Sequence, residues 1–204
     1  MTSSTLPKRP PVEPTALHDR AVEHLEVIRD AMERAGSFTA VPGWGTVAVG
    51  LSALCAAFLA AKAAPGDRWL QVWIAEGAVA GALSVGAMVL KARRVGISLG
   101  SAIARKFALA FAPSLAAGAV LTWSLAADGR APLLPGTWLL LYGAAVVAGG
   151  ALSARIVPLM GLTFMLLGVA ALAMTPAHGD LFMAAGFGGV HLVFGTLIAR
   201  RHGG

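Results

Sequence analysis

The chain has 204 residues, 57% of them hydrophobic and only 13% charged, with a mean hydropathy of +0.74. Soluble domains carry roughly twice that charge, so an ordinary soluble protein is excluded. The net charge of +6 sits at the ends of apolar runs, which points to membrane topology and away from nucleic acid as a partner.

Residues 1–14, MTSSTLPKRPPVEP, are polar and proline-rich and read as a disordered tail with no cleavable signal. Residues 15–36 read as a cytoplasmic amphipathic helix, with Thr15 to cap its start and Gly36 its end. Leu17, Ala21, Leu25, Ile28, Met32 and Ala35 give one apolar stripe. Asp19, Glu23, Glu26, Asp30 and Glu33 outweigh Arg20, Arg29 and Arg34, so the helix is net negative by two. Helices that lie on anionic lipid are usually basic. The favoured reading is therefore docking on a protein partner or on the chain's own basic loop.

Six apolar segments follow, at roughly 44–61, 69–90, 107–127, 136–153, 156–175 and 181–199. About 20 residues cross the hydrocarbon layer as a helix. Long unbroken apolar runs rule out a barrel, whose strands alternate. The predicted fold is all-α: a six-helix transmembrane domain over 44–199, built as three hairpins, with a cytoplasmic tail at 200–204. With the N-terminus inside, thirteen Lys and Arg fall on the cytoplasmic side and three, Lys62, Arg68 and Arg130, outside. The positive-inside rule thus puts both termini in the cytoplasm. Trp69, Trp123 and Trp138 then fall near the outer interface as anchors. Arg outnumbers Lys twelve to four, a composition that suggests a bacterium with a GC-rich genome.

An internal repeat is visible. WLQVWIAEGAVAGALS at 69–84 matches WLLLYGAAVVAGGALS at 138–153, each preceded by Pro-Gly. A fainter third unit begins at GDLF, 179–182.

Glu76 is the only ionisable side chain between Trp69 and Lys91. Eight residues past Arg68, it lies about 12 Å into the membrane. His191, eleven residues past Asp180, lies about 16 Å in from the same side. Intramembrane ionisable groups mark ion or proton sites, or serve as hydrogen-bond glue between helices. Both readings stay open, and a Glu76–His191 contact requires the second and sixth helices to be neighbours. Tyr142, at the position of Trp73 in the repeat, can aim its hydroxyl at the same region, although an interfacial anchor is its ordinary role. Thr196 is a candidate partner for His191. Gly186, Gly188, Gly189 and Gly195 around His191, and Gly77 and Gly81 after Glu76, read first as close-packing positions. Pro113 is a candidate kink in the third helix. Lys91, Arg93, Arg94, Arg105 and Lys106, in a predicted loop at 91–106, can bind lipid head groups or receive the acidic helix.

No soluble-enzyme motif is present: no GxxxxGK[ST], no HExxH and no GxSxG. Six helices with a histidine in the last resemble rhomboid proteases, but the fourth helix reads YGAAVVAGGALSAR, with Ser153 only at its cytoplasmic end. A haem held by two histidines is not expected, because His178 lies at the outer edge. The lone Cys55 excludes an internal disulfide and a cysteine metal site. No cofactor, metal or catalytic residue is expected. The segments ERAGSFTAVPGWG (33–45) and GGVHLVFGTLIARRHGG (188–204) resemble uncharacterised small multi-spanning bacterial inner-membrane proteins. That resemblance implies a bacterial cytoplasmic membrane and attaches no activity. Two functions are expected: a small transporter or channel-like protein with a Glu76/His191 polar centre, or a non-catalytic accessory or sensor subunit. The apolar surface also permits a homo-oligomer.

Overall fold

The computed structural model describes residues 41–202, apart from 64–65, 97, 99 and 175, together with His24 and Leu25. The tail 1–14, nearly all of helix 15–36 and the end of the C-terminal tail lie outside the described residues. The chain divides into two compact units, Met1–Ser37 and Phe38–Gly204. In the first, His24 and Leu25 are helical and exposed. All that follows concerns the second.

The regular elements among its described residues are all helical. They are α1 (Gly43–Lys62), α2 (Asp67–Val95), α3 (Ala102–Ala127), α4 (Leu134–Gly150) and α5 (Ile156–Ala173). The sixth span, Gly179–Arg201, consists of α6 (Gly179–Met183), a π-helical stretch Ala184–Val190, and α7 (His191–His202). Among the described residues, six helices are long and apolar enough to cross a membrane. Phe58, Val85, Leu109, Val120, Trp123 and Leu166 are each more than half exposed. That surface suits hydrocarbon and would aggregate in water.

The predicted basic loop is largely helix. Lys91, Arg93 and Arg94 belong to α2, and Arg105 and Lys106 to α3. α2 ends at Val95 and α3 begins at Ala102, each set by a local cap. Gly96 takes φ +71 and its N–H returns to the Ala92 carbonyl, a left-handed C-cap. The Ser101 hydroxyl accepts the Ala104 N–H at 3.3 Å and starts α3. Arg93 and Arg94 in the last turn of α2 also complement its dipole. α3 runs as one helix through Pro113.

Glycine decides which helices are neighbours. Gly136, Gly143 and Gly150 on α4 recur every seven residues; on α5 the first two face Gly168 and Gly161, and the third faces Val157 and Pro158. A Cβ added at Gly143 would stand 2.7 Å from the Gly161 carbonyl oxygen, and the reverse holds at the same distance. α1 and the sixth span meet likewise, since a Cβ on Gly195 would stand 2.8 Å from the Val47 nitrogen. A seven-residue spacing keeps small residues on one helix face, so two backbones can touch along their length. α2 lies on α1, and α3 on α4. The expected third hairpin is the weak one: α5 packs chiefly on α4, and the sixth span chiefly on α1. The core lies among α4, α5 and the sixth span, where Leu134, Leu139, Phe164, Met183 and Ile198 are fully buried.

The glycines of α2 behave differently. A Cβ on Gly77 or Gly81 would meet nothing within 4 Å. The expected close packing of this GxxxG is therefore not met among the described residues, because α2 turns that face away from α1.

Candidate functional site

His191 opens α7, immediately after the π-helical stretch. It is 2% exposed. Its backbone N–H donates to the Gly188 carbonyl, and its ring Nδ1 lies 2.9 Å from the Phe187 carbonyl oxygen. A carbonyl only accepts, so Nδ1 carries the proton. Nε2 lies 2.8 Å from the Tyr142 hydroxyl of α4. In the neutral ring Nε2 is then an acceptor, and Tyr142 donates to it.

Rings enclose this pair. Phe164 of α5 lies 5.1 Å from the His191 ring and 4.9 Å from Tyr142, both edge-on. Phe187 lies 5.2 Å from Tyr142, and Phe111 of α3 meets Tyr142 edge-on at 6.1 Å. Four spans thus contribute to one aromatic cluster around one hydrogen bond. Tyr142 is part of the interior here and not the interfacial anchor its ring type suggested. The Thr196 hydroxyl donates to its own helix, to Leu192 O at 2.7 Å, so it does not serve His191.

Glu76 belongs to another place. It is half-buried, and its Oε1 accepts the Ser52 hydroxyl of α1 at 2.8 Å. No hydrogen bond or ion pair joins Glu76 to His191 among the described residues. The shared depth of the two groups does not bring them together: Glu76 bonds Ser52 of α1, and it is Trp69 and Trp73 of α2 that reach the sixth span, at Asp180 and Phe187.

At the end of the bundle near Trp69, four spans are tied. Trp69 and Trp138 stack at 5.7 Å with ring planes 3° apart. Trp69 Nε1 donates to Asp180 at 2.6 Å, and Trp138 Nε1 to Thr122 at 2.7 Å. Trp73, 5% exposed, keeps its Nε1–H buried without an acceptor among the described residues. Trp123, the third expected anchor, is 76% exposed.

The chain matches no family model, no curated protein and no solved structure. The site therefore rests on its own chemistry. Both His191 nitrogens are occupied and its ring is enclosed, which suits a fixed joint between helices. Among the described residues no three His, Cys, Asp or Glu side chains come together as a metal site.

At the opposite, basic end, Lys91 is 6% exposed and its Nζ donates to the Val41 carbonyl at 2.9 Å. It is held by the chain leading into α1. Arg93, Arg94, Arg105 and Lys106 are exposed there.

Sequence reasoning missed Ser52, Phe164, Phe187 and the orphan Trp73. Ser52 had a signal: it lies ten residues before Lys62, as Glu76 lies nine after Asp67. Hairpin partners at equal depth can meet. The aromatic residues had none, being indistinguishable from lipid-facing rings.

Proposed function

We propose that this chain is a non-catalytic accessory or sensor subunit of the bacterial cytoplasmic membrane. Residues 15–36 engage a protein partner in the cytoplasm, and the six-span unit is the anchor and platform. One observation carries this reading over transport. The two intramembrane ionisable groups are satisfied separately, Glu76 by Ser52 and His191 by Tyr142 and Phe187 O. A transport centre needs such groups to converge on a shared path. Glycine contacts at backbone distance suit a rigid platform better than a gated one.

A small transporter centred on Glu76 is the second reading. It is favoured by the half-buried setting of that carboxylate on the outside of the bundle. Proton and solute flux in proteoliposomes separates the two. Background flux, identical in wild type and Glu76→Gln, is expected. Flux that Glu76→Gln abolishes would overturn the accessory reading. The partner is tested in gently solubilised native membranes. The full chain should migrate in an assembly larger than itself, and deletion of residues 1–36 should release the six-span unit from it.

A further inference from the structure

An open groove of about 510 Å³ lies between the adjoining ends of α1 and α2. Lys62 and Arg68 line it with Gln71, and Leu59, Val72 and Ala75 form its apolar part. Arg68, Gln71, Val72 and Ala75 follow the i, i+3, i+4, i+7 pattern of one helix face. Arg68 and Ala75 are seven residues apart, about 10 Å along the axis. The groove is thus cationic at its rim and apolar toward the membrane interior. Further in, the Ser52–Glu76 hydrogen bond ties α1 to α2.

The charge pattern calls for a ligand. Lys62 and Arg68 are two of only three basic residues assigned to this side of the membrane. Basic residues here oppose the positive-inside bias that the rest of the chain obeys, so topology does not explain them. Lys62 Nζ sits 4.1 Å from the centroid of the Phe58 ring. The ring covers one side of the ammonium and leaves its other hydrogens for oxygen acceptors.

We propose that this groove binds a phospholipid with an anionic head group from the adjoining leaflet. Lys62 and Arg68 hold the phosphate, and Gln71 donates to the ester oxygens. The acyl chain lies along Leu59, Val72 and Ala75. A zwitterionic lipid satisfies the apolar part equally but gains less from two cations. The site is independent of whether the chain is an accessory subunit or a transporter. It rests on the six-span reading and on the cytoplasmic placement of both termini.

The test uses the full-length protein in nonionic detergent, titrated with phosphatidylglycerol carrying a photoreactive acyl chain. Labelled peptides are then mapped, which separates this groove from the basic end that carries Arg93 and Arg94. Labelling is expected in the peptides that form the groove. Lys62→Gln with Arg68→Gln should weaken that labelling about 25-fold, from roughly a fivefold contribution per cation. The charge-retaining pair Lys62→Arg with Arg68→Lys should keep it. Ala75→Trp, which fills the apolar part and leaves both cations, should also weaken it. Phosphatidylcholine with the same chains should label weakly in every variant, and glycerol phosphate should fail to compete. The proposal is overturned by labelling that Lys62→Gln with Arg68→Gln leaves unchanged. Equal labelling by phosphatidylcholine, or effective competition by glycerol phosphate, overturns it as well.

Discussion

His191 and Glu76 are the same kind of anomaly in sequence and different objects in the fold. His191 is a joint: its two ring nitrogens link the π-helical stretch to α4. Tyr142→Phe keeps the ring and its packing but removes the donor to Nε2, which is then buried without a partner. Interhelical hydrogen bonds in membranes average about 0.6 kcal/mol and reach about 1.7. A loss of about 1 kcal/mol is expected, read from unfolding of the purified protein in mixed micelles. Unchanged stability would show that the bond contributes nothing. Glu76→Gln keeps the oxygen that accepts from Ser52. Its stability should stay within about 0.5 kcal/mol of wild type, because the geometry needs an acceptor and not a charge. A loss of several kcal/mol would show that the ionised carboxylate has a structural partner beyond Ser52.

Glycine sets the arrangement of elements, and its effect depends on which helix carries it. At Gly143 and Gly161 two backbones touch, so any side chain must push α4 from α5. Gly143→Leu should cost at least about 2 kcal/mol, at the overpacking end of core substitutions. Gly77→Leu, facing open space on α2, should leave the unfolding of the monomer unchanged within about 0.5 kcal/mol. The same micelle unfolding measurement compares them directly. Equal losses would mean that α2 packs through its GxxxG after all. The contrast also explains why the close packing expected of Gly77 and Gly81 is not met. Ala, Gly and Leu fill every span, so composition does not separate packed glycines from exposed ones. The seven-residue spacing of Gly136, Gly143 and Gly150 against Gly161 and Gly168 does, and it was there to be read.

Across the molecule, hydropathy located the spans because hydrocarbon tolerates little charge. It misjudged their ends where caps and not polarity decide them, as when α2 continues past Lys91 to Val95 and is capped at Gly96. The candidate site was legible in depth but not in direction around the bundle. Glu76 and His191 shared a level, whereas Tyr142 and His191 share a contact, and only the order of helices around the core distinguishes the two. Orientation across the membrane is the remaining whole-molecule property, and it rests on thirteen inner against three outer basic residues. It can be tested with one cysteine at each end. In a Cys55→Ala background, Asp128→Cys places a thiol at the exposed end of α3, and Ala151→Cys places one at the exposed end of α4. An impermeant maleimide added to spheroplasts should label the first directly and the second only after the membrane is opened. The reverse pattern would put both termini outside, and residues 15–36 could then engage no cytoplasmic partner.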